Sequence, residues 1–452
     1  MRLRKTITTI VATAILLAGW QLFAVIANQP ELIPSLPRLV RTLCEWLVSG
    51  SFYQSVGATI LRGVLGMSIS FVCAIGMAGL FARFEWVYEL FRPLLAIMRS
   101  IPVISFILLA LIFLNPESIP LMIAFLTMFP LLTENLTRGI LDLRPGLSIM
   151  ARQFHIKRSN VLFQIIYSQL KPFLYSGLAS AAGFGWRAII MGEVLSQCAF
   201  GIGSEMKRAQ NFIAVPELLA WTIVAVFISF FFDKGISKVA DITPKISFAN
   251  EDQTIPTPTL SVLDTKDISY QYGIQHFSHS FQKGIIYGIS APSGKGKTTL
   301  LNLIGDILLP TEGEIHPTRH FGIATIFQQP QLLPHLTAEE NIILPLSSFL
   351  TEEKARRIAQ KHLQEMEMEP FGNRYPKELS YGQQQRIAIA RALAYPSPLL
   401  LMDEPFKGLD EALSHRIIER IREKQMKEER IILFTSHNPD EIRLLADEVI
   451  YL

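Results

Sequence analysis

The chain has 452 residues, long enough for two or three domains, and half of them are hydrophobic while only 18% are charged. That balance favours a membrane class over an ordinary soluble one. A formal net charge of +3 is too small to argue for a nucleic-acid partner. Cys44, Cys73 and Cys198 lie scattered, with no CxxC spacing and no His cluster, which argues against a disulfide framework or a zinc site.

The apolar character is confined to the first half. Taking roughly 20 mostly apolar residues per spanning helix, candidate spans fall at 7–27, 58–82, 93–114, 118–137, 173–195 and 216–233. Six spans return both ends of this half to the same side. The segments 1–6, 83–92 and 138–171 together hold eleven Lys or Arg, against four in 28–57, 115–117 and 196–215. This asymmetry places the N-terminus and everything after residue 234 in the cytoplasm, with the chain multi-pass in the inner (plasma) membrane and in contact with lipid. The alternative, that MRLRK and the following apolar run form a cleaved signal peptide, would leave five spans and put the second half of the chain on the opposite side of the membrane from that which the charge asymmetry indicates. Glu134, Arg187 and Glu193 fall inside spans, where an ionisable group faces the protein interior or a wet pathway. A structural pair and a role along the translocation path both remain open for them.

The segment 138–171 carries six basic residues and two short helical patterns, too polar to span. It reads as a positive-inside anchor or as a cytoplasmic docking element. It resembles the coupling loop of ABC importer permeases, with Ala151, Ile165 and Ile166 fitting and Pro172 matching a proline that follows the block. His155 stands where that pattern has glycine, and Ser168 where it has its first proline. The blocks around it, beginning IPSLPRLVRTLCEWLVSG and continuing through GLASAAGFGWRAIIMGEVLS, resemble permeases of the nitrate/sulfonate/taurine importer class over roughly residues 30–235.

Two domains joined by a linker are expected: an all-α six-span permease over 1–239, a polar proline-containing linker over 240–259, and an α/β domain over 260–452. In the last, short apolar runs such as GIIYGISA, HFGIATIF, PLLLMDEP and ERIILFTSH alternate with helical patterns, as buried parallel strands do.

The stretch APSGKGKTT sits between an apolar strand and an apolar helix, the context a phosphate loop needs. Ala291, Pro292, Ser293, Gly294, Lys295, Gly296, Lys297, Thr298 and Thr299 form it. Its two glycines let successive N–H groups face a phosphate, and the helix adds its positive end. Lys297 supplies a point charge to the β- and γ-phosphates of ATP, and Thr298 a hydroxyl to Mg²⁺. Ala291, where such loops often begin with glycine, matters only if its φ must be positive. Asp403, closing an apolar strand, is the second candidate Mg²⁺ ligand, and Glu404 the group to polarise an attacking water. Gln328 reaches metal and water, His437 the γ-phosphate, and Tyr272 offers a ring to adenine, with Tyr270 competing for that last role.

LSYGQQQRIAIARAL (379–393) resembles the Leu-Ser-Gly-Gly-Gln signature of ABC ATPases, read with Tyr381 in place of the first glycine. With the phosphate loop, MDEP, GLD and SH in order, it identifies a P-loop ABC nucleotide-binding domain. The resemblance implies that Ser380, Gly382 and Gln383 contact the ATP of a second subunit, with Asp410 at the dimer seam. It further implies a homodimer, or a pairing with a related half-transporter, fed by a separate solute-binding protein and driven by ATP hydrolysis. Two other readings stand beside import: an exporter half-transporter, and a membrane protein using ATP binding as a signal.

Overall fold

The computed structural model describes residues 2–253, 260–271, 273–292, 294–317 and 322–452, so Tyr272, Ser293 and part of the expected linker lie outside the described residues. Two compact units emerge, Met1–Leu143 with Gln169–Thr243, and Arg144–Ser168 with Pro244–Leu452.

The first unit is helical. Its elements are α1 (Arg2–Ala27), α2 (Leu36–Trp46), α3 (Gly50–Arg83), α4 (Glu85–Ser100), α5 (Val103–Phe113) and α6 (Ile119–Leu141). After α7 (Pro145–Gln153) and α8 (Arg158–Asn160), which belong to the second unit, it resumes with α9 (Ser168–Ser196), α10 (Ile202–Asn211) and α11 (Val215–Ala240). Among the described residues four helical stretches are long and apolar enough to cross a membrane, 50–83, 116–141, 158–196 and 215–240, and Val11–Ala27 is a shorter apolar helix. The expected span at 93–114 is broken rather than straight. It is two helices bent by 94° at a break beside Pro102, whose ring cannot continue the helical ladder. The second helical pattern of 138–171 is likewise not separate. It runs through a π-helical stretch, Val161–Tyr167, directly into α9, with Pro172 inside that helix.

The long helices α3 and α6 pack closely: Ala74, Ala78, Ala124 and Met128 are buried in one cluster, and a Cβ on Gly66 would lie 2.6 Å from the Ala124 Cβ. Without water to drive helices together inside a bilayer, close packing of small residues and internal hydrogen bonds do so. Glu193 shows the second device. Its fully buried carboxylate accepts from Arg62 Nη1 at 2.7 Å, Thr59 Oγ1 at 2.9 Å and the Gly203 N–H at 2.9 Å. Arg62 also donates to Glu117 at 2.6 Å. A carboxylate so completely satisfied acts here as a structural tie between α3, α9 and the start of α10. Glu134 pairs with Arg99 and Arg138, whereas Arg187 is exposed on α9.

The second unit holds two sheets. The antiparallel one has the order β2 (Ile274–Gln282), β1 (Val262–Tyr270), β4 (Glu312–His316). The parallel one has the order β5 (Ala324–Ile326), β6 (Leu399–Asp403), β7 (Ile431–Thr435), β3 (Ile286–Ser290), β8 (Glu448–Tyr451). Every residue of β6 and β7 is buried, as expected of strands covered on both faces. The helices are α12 (Lys297–Ile304), α13 (Ala338–Leu346), α14 (Glu352–Glu365), α15 (Tyr381–Ala394), α16 (Glu411–Glu428) and α17 (Pro439–Leu445). Register pairs Asp403 with Thr435 and Thr435 with Ile289, so the carboxyl ends of β6, β7 and β3 lie side by side.

Residues after Pro244 are not a free connector. Ala249 N donates to Ser347 O at 3.0 Å and Gln253 N to Phe349 O at 2.8 Å, while Ile246 and Phe248 pack on the core. The segment is extended because its backbone bonds are made to another element. Asp252 accepts from the N–H and hydroxyl of Thr351, and these bonds outweigh burial to hold its carboxyl below the ordinary value.

Candidate functional site

The loop between β3 and α12 crosses the carboxyl end of the parallel sheet, where open α/β sheets bind ligands. Gly294 and Gly296 have φ of 80° and 90°, the left-handed region that favours glycine. A Cβ on Gly296 would lie 2.6 Å from the Gly273 carbonyl oxygen, so this position also needs the close approach. Ala291 is not among the residues with positive φ, and its methyl therefore strains nothing. The buried Lys297 sends its ammonium back across the loop, 2.7 Å from Ala291 O. Lys295 N donates to Pro292 O at 3.3 Å, and Thr299 follows within the first turn of α12.

Asp403 is the meeting point of three elements. Its Oδ2 accepts from Thr298 Oγ1 at 2.9 Å and its Oδ1 from Thr435 Oγ1 at 2.8 Å. Burial pushes this carboxyl above its ordinary value, against those two bonds. A hydroxyl and a carboxylate in contact form a hard-oxygen donor pair, which fits Mg²⁺, a cation that keeps most of its shell for water and phosphate. Among the described residues no cluster of three His, Cys, Asp or Glu exists to hold a metal by protein alone. A cation held by this pair would complete its shell with water or with the phosphates of a ligand.

Glu404 is left-handed at φ 49°, an uncommon state for a non-glycine residue, and its N–H is fixed by Thr435 Oγ1 at 3.0 Å. Its carboxylate meets His437 Nε2 at 2.9 Å and Lys407 Nζ at 3.2 Å. Burial pushes Glu404 up, but hydrogen bonds from Lys407 and Gln328 outweigh it and hold the carboxyl below the usual value. Gln328 lies just beyond β5 and, with Thr298 and Asp403, lines a cavity of about 260 Å³. Gly146 and Ile149 of α7 line the same cavity.

Helix α7 is seated on this domain by apolar and polar contacts. Leu147, Met150, Ala151, Phe154 and Ile165 are buried in one core with Ala324 and Ile326 of β5. Gln153 Nε2 donates to Gly305 O and Arg152 Nη2 to Asp306 O, both at 2.6 Å, at the far end of α12. The N–H of Ile323 returns to Gln153 O at 2.7 Å. His155, in the place of the expected glycine, takes φ 44° and so supplies the left-handed turn itself; His is among the residues that tolerate it. Ile166 is half-buried and Pro172 lies in α9, in the other unit.

The signature residues stand at the start of α15, and Asp410 at the start of α16. Ser380 caps α15 by accepting from Gln383 N at 3.3 Å, and the Gln383 side chain returns to Ser380 N at 2.9 Å. Asp410 caps α16, accepting from Leu413 N at 2.9 Å. Gly382 faces Gly408, whose carbonyl a Cβ would approach to 2.6 Å. Sequence reading missed Thr435, Lys407 and Arg391. Thr435 was legible as the residue before SH on the last buried strand, whereas the roles of Lys407 and Arg391 depend on partners distant in sequence or on loop geometry.

Residues 274–407 match the family model described as ABC transporter, and residues 68–233 that of a binding-protein-dependent transport system inner membrane component. An uncharacterized ABC transporter ATP-binding protein, MJ0796, of Methanocaldococcus jannaschii is 34% identical, over 40% of this chain and 85% of its own. The chain belongs to the ABC transporter family. In this ABC transporter a permease domain and an ABC ATP-binding domain share one polypeptide. The iron import ATP-binding protein FbpC of Rhizobium etli is 35% identical, with 40% of this chain and 54% of that protein covered. The glucose import ATP-binding protein GlcV of Saccharolobus solfataricus is 35% identical, with 38% and 52% covered. The ABC transporter thus spans about half the length of these two relatives. The solved dimeric MJ0796 cassette bound to ADP and phosphate is 32% identical over 42% of this chain and 94% of that one, with a TM-score of 0.40.

Proposed function

We propose that this ABC transporter couples ATP hydrolysis to the import of a small solute across the inner (plasma) membrane, the ATP-binding domain lying in the cytoplasm. The observation that carries this reading is the location of α7. It follows α6 of the permease unit in the chain, yet its apolar face is buried in the ATP-binding domain beside Gln328. A movement of the Gln328 loop therefore has a rigid attachment to pull on, which supports Ala151 and His155 as part of a coupling element continued in α9 by Pro172.

The phosphate loop from Ala291 to Thr299 cradles the nucleotide, with Lys297 turning to its β- and γ-phosphates. Tyr272 and Ser293 complete the proposed nucleotide contacts. Thr298, Asp403 and Gln328 are the residues to hold Mg²⁺, which when bound neutralises phosphate charge. Glu404, its carboxylate ionised and aimed by His437 and Gln328, accepts the proton of the attacking water. Ser380, Gly382, Gln383 and Asp410 are turned to a second copy, so each ATP is completed by two chains and a single copy is inert. Closure of the pair on ATP and its release after hydrolysis shift the permease between two openings.

Import is supported by the permease model and by the import names of FbpC and GlcV. A separate solute-binding protein then does most of the selecting, and a sulfonate, nitrate, taurine or pyrimidine-type precursor is the substrate class the sequence resemblance favours. The test compares cells expressing the wild-type chain with cells expressing Glu404→Gln by metabolite analysis of the medium. A solute depleted only by the wild type supports import. One that accumulates outside supports export, and no difference sinks the transport reading.

A further inference from the structure

Tyr381 departs from the signature pattern, and its surroundings explain what a tyrosine does there. It is the first residue of α15, and its hydroxyl donates to Gln328 O at 2.7 Å. Its ring covers Gly408, where an added Cβ would lie 2.8 Å from the ring and where φ is 80°. The same helix grips the same loop further along. The buried guanidinium of Arg391 donates to Pro330 O and Gln331 O, each at 2.8 Å. Gln385 adds a bond to Pro405 O at 3.1 Å, in the segment that follows Glu404. Ten residues of α-helix separate the two grips, about 15 Å at 1.5 Å per residue.

Beneath this loop lies α7. A Cβ on Gly146 would sit 2.6 Å from the Gln331 carboxamide oxygen, and the Arg391 guanidinium lies over the Phe154 ring at 5.4 Å. A continuous set of contacts thus runs from α7 through residues 328–331 to the first turn of α15, where Ser380 and Gly382 stand.

We infer that Tyr381 is a positioning residue: a strut that fixes Gln328 to the signature end of α15 within one chain, so that the Gln328 loop and the signature move as one body. A glycine at 381 has no side-chain atom that reaches Gln328, which would leave the Arg391 bonds to Pro330 O and Gln331 O as the remaining grip of α15 on the loop. The role rests on the ATPase reading above, because Gln328 has to be placed for turnover before its placement matters.

The experiment uses the full chain in lipid nanodiscs, with Tyr381→Phe, which keeps the ring over Gly408, and Tyr381→Gly, which removes it. Hydrogen exchange is followed without nucleotide, and MgATP turnover alongside it. Tyr381→Phe is expected to raise exchange at least threefold in 328–331 and 381–384 while α14 and α16 stay as in the wild type. It should lower kcat about two- to tenfold, the worth of one hydrogen bond, with KM for MgATP within twofold. Tyr381→Gly should lower kcat further. Unchanged exchange, exchange raised throughout the domain, or loosened segments with an unchanged kcat would each overturn the strut. A wild-type chain that does not turn over ATP would remove the transport reading instead, and the exchange measurement alone would then decide whether Tyr381 ties the two segments.

Discussion

Phe154→Ala tests whether α7 is built into the ATP-binding domain as strongly as its contacts imply. Phe154 is fully buried, its ring edge-on to Tyr395 at 5.2 Å and beneath the Arg391 guanidinium. An aromatic side chain buries about 150–250 Å², which at about 25 cal/mol/Å² is roughly 4–6 kcal/mol of transfer free energy as an upper figure. Truncations of buried Phe cost about 3–5 kcal/mol. A unit of this size loses roughly 2–4 °C of Tm per kcal/mol, so the calorimetric transition of the cytoplasmic unit should fall by roughly 6–12 °C even at the lower cost. If α7 lifts away instead of unfolding the domain, the loss appears elsewhere. A cysteine pair at Ile149 and Asn302, which line one cavity, should cross-link in the wild-type background and lose most of that cross-link in the variant. A Tm within about 2 °C of the wild type together with an unchanged cross-link would refute the argument that Phe154 anchors the element.

Glu404→Gln keeps the shape of the side chain and removes its basicity. Turnover should fall about 10²- to 10⁴-fold while equilibrium binding of ATP persists, and retained turnover would take Glu404 out of its proposed role. Thr435→Val removes the hydroxyl that serves both Asp403 and the Glu404 N–H. It should lower kcat and cost about 1–3 kcal/mol of stability for the polar groups left unpaired, read by denaturant unfolding of the detergent-solubilised chain. Gly408→Ala forces a side chain into φ 80° and against the Tyr381 ring, and should destabilise by at least about 1–2 kcal/mol. Chelating Mg²⁺ with excess EDTA should stop turnover in the wild type, and addition of Mg²⁺ should restore it.

Much of the chemistry was legible in order along the chain, because a phosphate loop needs glycines at fixed spacing and a metal-facing carboxylate needs a buried strand to end beside it. Gly294, Gly296, Lys297, Thr298 and the Asp403–Glu404 pair could be placed on those grounds, since local backbone rules and strand periodicity act over a few residues. Thr435 could be placed by its position before SH, but a threonine on a buried strand carries no local mark of its partners. It bonds Asp403, 32 positions away.

Apolar periodicity located the long helices but missed the bend within 93–114, because hydropathy averages over a window and does not register the direction change at Pro102. The basic segment 138–171 was legible as an anchor or a docking element, yet beyond the Arg152 bond to Asp306 O its charges do not seat it. Leu147, Met150 and Phe154 do so, and their apolar character became meaningful only when β5 and α13 supplied the surface they bury against. The polar stretch after residue 240 gave no periodicity, since its order is borrowed from backbone partners at Ser347 and Phe349.

The sequence by itself determined the kinds of groups present, their order and the membrane character of the first half, because composition, spacing and local backbone preference are written in neighbouring residues. Only the tertiary structure decided that Glu193 is satisfied by Arg62, that His155 makes a turn left for glycine, and that Tyr381 reaches Gln328. Each depends on the distance between groups remote in the chain, and a hydrogen bond exists only where folding brings donor and acceptor to about 3 Å.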